Sequence, residues 1–186
     1  MSIEPYQHGN LDCLCGLYAV VNSIGHCLRN SSPMNGPDCQ NLFNRLVEHL
    51  RDTGILAPAL TSGLSTVAIS RMLGEAQSWL LKTKGVKLQR SKPFHRMSNL
   101  QYPYLINRIS MHLAAPNSSV LASISGRIDH WTVIREIRPK SIMLFDSYGI
   151  SRFSIQSTVV ATANGNQSSN CLVPSGCFFI ETTMTD

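Results

Sequence analysis

Apolar side chains fall on nearly every face of the segment Cys15 to Leu28 (CGLYAVVNSIGHCL), the pattern of a helix buried on all sides. Turn-forming residues fill Asn30 to Pro37. From Asp38 to Leu50 the apolar positions Leu42, Phe43, Leu46, Val47 and Leu50 recur at helical spacing, with Gly54 as a stop. Leu64 to Leu81 repeats the helical period, with an interruption expected at Gly74. Asn99 to Leu113 does so too, with Pro103 in its first turn. Beyond residue 117 the pattern changes to short apolar runs closed by turn residues. These are Val120 to Ile124 before Gly126, His130 to Ile137 before Arg138-Pro139-Lys140, and Ile142 to Asp146 before Ser147-Tyr148-Gly149. A short run follows at Arg152 to Gln156, and Cys177 to Thr182 ends the series. Ala161 to Asn170, rich in Asn, Ser, Gln and Gly, reads as a surface loop. Tight turns between successive strands imply antiparallel neighbours. Helices first and strands second predict an α+β fold over residues 1–186 as one domain, with the Cys15 helix packed centrally on a C-terminal antiparallel sheet.

Composition narrows the function class. The chain is 43% hydrophobic and 15% charged, which suits a packed core and excludes a disordered chain. No apolar run is long enough to span a bilayer, and no basic-then-apolar leader opens the chain. The expectation is a cytoplasmic protein, or one exported without a cleavable signal, with no membrane partner. The net charge of +5 favours anionic partners in principle. Its densest stretch, Lys82 to Arg96, holds one Phe and no alternating series of aromatics, so it reads as a solvated helix end and strand face and argues against nucleic-acid binding. The six cysteines read as mostly free thiols. Cys13 and Cys15 are too close for a zinc-ligand pair and no second pair follows, so no metal and no cofactor is expected.

The candidate chemistry lies at the ends of the chain. Cys15 opens the buried helix, where unpaired backbone N–H groups favour a thiolate, and a neighbouring imidazolium favours it further. Gly16 after it would leave room for a substrate carbonyl. His130 opens an apolar strand, and Asp146 closes the next one, so a single hairpin carries both to one end of a sheet. An aspartate there fixes the imidazole tautomer and stabilises its charged form. Its competing structural role is to cap the turn at Ser147-Tyr148-Gly149. A side-chain amide from Gln7 or Asn10 could join the nucleophile's own N–H in stabilising an oxyanion.

These residues resemble the papain-like cysteine peptidase superfamily, nearest to the bacteriocin-leader peptidases and their relatives. In that group a Gln precedes an Asp-Cys helix start, and a His strand and an Asp follow. The matching elements are Gln7, Asp12-Cys13 or Cys15-Gly16, His130 and Asp146, at the two ends of the chain. Residues 30–117 match no family pattern. Two cysteines compete for the nucleophile. Gln7 stands six residues before Cys13, the usual superfamily spacing, and Asp12 precedes Cys13 as in leader peptidases. Cys15 instead has a following glycine, an aromatic at plus three (Tyr18) and a small residue at plus four (Ala19), as in several deubiquitinase-like and viral peptidases. Cys15 is taken as the nucleophile with Cys13 as the alternative. Gln7 then needs a longer loop to reach the oxyanion, and Asn10 is its alternative.

The resemblance implies a papain-like fold and a thiol-dependent hydrolase, a cysteine peptidase or isopeptidase acting on a peptide or protein through a thioester. The same residues would serve an acyltransferase. A non-catalytic binding or adaptor module on this fold is the rival from another class.

Overall fold

The computed structural model describes residues 4–7, 13–97, 100–161 and 169–185. Asn10, Asp12 and most of the expected loop Ala161 to Asn170 lie outside the described residues.

Among the described residues, five helices and seven strands follow in the order α1 (Cys15–Leu28), α2 (Gly36–Asp52), α3 (Leu56–Ser62), α4 (Thr66–Lys84), β1 (Val86–Ser91), α5 (Tyr102–Leu113), β2 (Ser118–Gly126), β3 (His130–Arg138), β4 (Ser141–Leu144), β5 (Arg152–Ser154), β6 (Thr158–Val160) and β7 (Asn170–Met184). Helix α1 is buried along most of its length, as its sequence predicts. Helix α2 starts on a reciprocal cap: the Asn35 side chain accepts from the Asp38 N–H at 2.8 Å, and Asp38 accepts from the Asn35 N–H at 3.1 Å. Helix α4 runs unbroken through Gly74. A Cβ there would come within 3.2 Å of the Arg90 guanidinium, so the glycine makes room for an arginine laid across the helix.

The sheet order is β1-β7-β2-β3-β4-β5, with β6 beside β7. Every pairing is antiparallel except β6 with β7, which is parallel. The C-terminal strand therefore lies inside the sheet, between the early strand β1 and β2. The periodicity of the sequence predicts neither β1, β6 nor α3, and it starts β7 seven residues late. Helices cover both faces. Leu121, Val133, Phe178 and Ile180 pack against α1, α2 and α4 on one face. Val120, Ala122, Ile134 and Phe179 pack against Leu105 and Ile109 of α5 on the other. The alternation of Val120, Leu121 and Ala122 between the two cores is the period-two consequence of a strand buried on both sides.

Polar contacts fix α1 against the sheet. The Ser23 and Ser119 hydroxyls share a hydrogen bond of 2.6 Å, and the Cys27 thiol donates to Ser119 Oγ at 3.2 Å. On the outer side Asn22 grips the main chain of Tyr6 twice, accepting from its N–H at 2.9 Å and donating to its carbonyl at 3.0 Å.

Candidate active site

Helix α1 begins without a side-chain cap. Leu14 occupies the cap position, and its carbonyl accepts from both Leu17 N (2.8 Å) and Tyr18 N (3.1 Å). Cys15 and Gly16 thus supply N–H groups that precede the intrahelical ladder. Gly16 is buried there for packing. A Cβ would meet Ile69 Cδ1 at 2.8 Å, Trp131 Cδ1 at 3.1 Å and Leu64 Cβ at 3.2 Å. The missing side chain at Gly16 thus makes room for these three side chains.

His130 is the first residue of β3 and is 9% exposed; Asp146 follows the end of β4 and is 2% exposed. The β3–β4 ladder carries a bulge between Ile134 and Glu136, and Phe145 N continues it by donating to Val133 O at 2.9 Å. This brings the Asp146 carboxylate to the imidazole: His130 Nε2 lies 2.7 Å from Asp146 Oδ2. The other carboxylate oxygen accepts from Tyr148 N at 2.8 Å and from Ile150 N at 3.3 Å. Asp146 therefore does both things open to it in the sequence, capping the turn with Oδ1 and holding His130 with Oδ2.

His130 also interacts with Cys15, whose thiol lies 4.0 Å from the Cys13 carbonyl. Burial acts to lower the imidazole pKa, but the hydrogen bond to Asp146, the interaction with Cys15 and the charges of both outweigh it, and it is raised to about 9. Burial likewise acts to raise the pKa of Asp146. The hydrogen bond and positive charge of His130, with the turn N–H of Tyr148, carry it below the ordinary aspartate value. The Tyr148 ring lies with its centroid 6.2 Å from that of His130 and is largely exposed at the cleft rim.

Cys15, His130 and Trp131 line a cleft of about 770 Å³. One wall is the α3–α4 connection, Ser62 to Ser65. The Trp131 indole N–H holds it by donating to the Leu64 carbonyl at 2.8 Å. Ser123 to Ser125, Ile128 to His130, Tyr148 and Ile150 also line it. Neither the α3–α4 wall nor Tyr148 is singled out by the sequence; the run Thr61-Ser62-Gly63-Leu64-Ser65-Thr66, poor in helix formers, is the available signal for the first.

Of the residues expected at the site, Cys15, His130 and Asp146 come together. Cys13 lines the same cleft, but its thiol donates to the Thr61 carbonyl at 3.6 Å and its N–H to the Leu60 carbonyl at 3.2 Å. Gln7 is not brought to them. It is exposed and borders a separate cavity of about 160 Å³ with Tyr18 and Phe43. All six cysteines are free thiols. Burial pushes Cys27 and Cys177 up to about 12. Among the described residues no group of three or more His, Cys, Asp or Glu side chains could hold a metal ion, and no helix is long and apolar enough to cross a membrane.

No family model and no curated protein matches the chain. Among solved structures it is similar to the peptidase domain of Streptococcus ComA, a bi-functional ABC transporter involved in a quorum-sensing pathway. The identity is 16% and the TM-score 0.45, over 97% of this chain and 96% of that one.

Proposed function

We propose that this protein is a thiol-dependent hydrolase of the papain-like kind, a peptidase or isopeptidase in which Cys15, His130 and Asp146 act together. One observation carries the reading: a single buried imidazole is held by an aspartate and interacts electrostatically with the thiol at a helix start, at the edge of an open cleft. With Nε2 held by Asp146, Nδ1 is the ring nitrogen left to exchange a proton with the thiol. Cys15 Sγ attacks the carbonyl carbon of the scissile amide. The charge on its oxygen is met by the N–H groups that open α1, since Gln7 does not border the cleft. His130 gives its proton to the leaving amine as the C–N bond breaks and a thioester remains. Water then attacks the thioester, His130 takes its proton, and the acid and the thiol are released.

The test is selective alkylation. Iodoacetamide at pH 6 to 7 is expected to modify Cys15 well before the buried Cys27, Cys39, Cys171 and Cys177. Peptide-hydrolysing activity is expected to vanish in Cys15→Ala and in His130→Ala. Slow, uniform labelling, or full activity in Cys15→Ala, overturns the reading; fast labelling confined to Cys13 moves the nucleophile to that residue.

A further inference from the structure

Apart from the His130 imidazole, the cleft carries little charge. Among its described lining residues there is no lysine, arginine or glutamate, and the only carboxylate is Asp129. This stands out in a chain of net charge +5. Asp129 is exposed, and it takes part in no salt bridge among the described residues, nor does the nearby Arg127. It stands beside His130 in the chain and lines the cleft with Ile128 and Ile150. Aliphatic surface next to one unpaired carboxylate fits a side chain with a long apolar stem and a cationic tip. The position of Asp129 has a chemical meaning too. His130 delivers its proton to the departing amine, and Asp129, its neighbour in the chain, lines the same cleft.

We infer that Asp129 selects substrates carrying lysine or arginine immediately on the leaving side of the bond cleaved. The inference rests on the hydrolase reading above and names its substrate class. The stem lies on Ile128 and Ile150 and the ammonium or guanidinium faces the Asp129 carboxylate. The contact is solvent-exposed, so its effect is modest and falls with added salt.

Small electrophiles built as leaving-side mimics test this without a known substrate. Chloroacetyl-lysinamide and chloroacetyl-norleucinamide have the same stem and differ in the charge at its tip. Each labels by thiolate displacement of chloride, and Cys13→Ser as the background confines the accessible signal to Cys15. The lysine reagent is expected to react about fivefold faster than the norleucine reagent at low salt, the order of a unit-charge contact in water. The ratio should shrink toward one at 1 M salt and in Asp129→Asn. It should invert in Asp129→Lys, each rate being taken relative to that of plain chloroacetamide with the same protein. A lysine preference that survives in Asp129→Asn, or none in the parent protein, overturns the inference while leaving the hydrolase reading intact. Slow reaction of Cys15 with chloroacetamide itself overturns the hydrolase reading, and this inference with it.

Discussion

Replacing Asp146 by Asn separates the two roles of that carboxylate, and the structure gives the size of the effect. Oδ1 is committed to the N–H groups of Tyr148 and Ile150, while Oδ2 faces His130 Nε2 at 2.7 Å. An asparagine that keeps its one oxygen on the turn must point its amide NH2 at Nε2. That donor makes Nε2 an acceptor and places the ring proton on Nδ1, the nitrogen needed to accept the thiol proton. The same tautomer trap in a serine-protease triad costs on the order of 10⁴-fold in kcat, so a loss of about 10³- to 10⁴-fold is expected here with the fold retained. The pH dependence should move as well. The imidazole is raised from 6.5 to about 9. The stability it contributes is fully present below pH 6.5 and is lost as pH rises through about 9. At about 1.4 kcal/mol per unit this amounts to at most about 3 kcal/mol, solvent at the cleft edge reducing it. Hydrolysis should fall on the alkaline side with an apparent pKa near 9 that belongs to the interacting pair. In Asp146→Asn this alkaline limb should drop by at least about one unit, and urea-unfolding free energies should lose their decline between pH 6.5 and 9. An Asp146→Asn protein with the parent's rate and alkaline limb refutes the assignment.

Two further expectations concern the helix that carries the thiol. His26 is buried with neither ring nitrogen hydrogen-bonded among the described residues, and burial, then the charges of Arg29 and Arg135, lower it to about 4. It folds neutral, so the unfolded chain binds the extra proton below pH 6.5, and stability falls by about 3 kcal/mol between pH 6.5 and 4. Denaturant titrations at pH 7 and 4.5 should show a smaller acid loss in His26→Phe; an unchanged loss contradicts this account. Gly16→Ala should destabilise by about 1–3 kcal/mol, because its Cβ would meet Ile69 at 2.8 Å. Gly25→Ala, with nothing within 4 Å of the new Cβ, should stabilise by about 0.5–1 kcal/mol. Thermal denaturation of the two variants distinguishes them by sign, and a stabilising Gly16→Ala would contradict the close packing at the helix start.

Periodicity and turn chemistry are local properties, and they carried the elements with the most regular patterns. Helix α1 matches residue for residue from Cys15 to Leu28, and His130 is indeed the first residue of its strand. The same local signals place Cys15 at a helix start and put His130 and Asp146 one hairpin apart. Short or charged segments escaped them. Strand β1 is exposed at Lys87, Gln89, Arg90 and Ser91, so only its pairing with β7, nearly a hundred residues away, makes it a strand. Gly74 reads as an interruption because Gly is a weak helix former, and only the crossing of Arg90 shows why the helix continues. The choice between Cys13 and Cys15 depends on which thiol the backbone turns toward His130. The failure of Gln7 to reach the cleft depends on Asn22 holding the preceding residue against α1. The division of Asp146 between turn and imidazole depends on the pairing of β3 with β4, which sets the two residues side by side. Local sequence determined which chemical groups this chain possesses and on which elements they ride; long-range packing alone decided which of them meet.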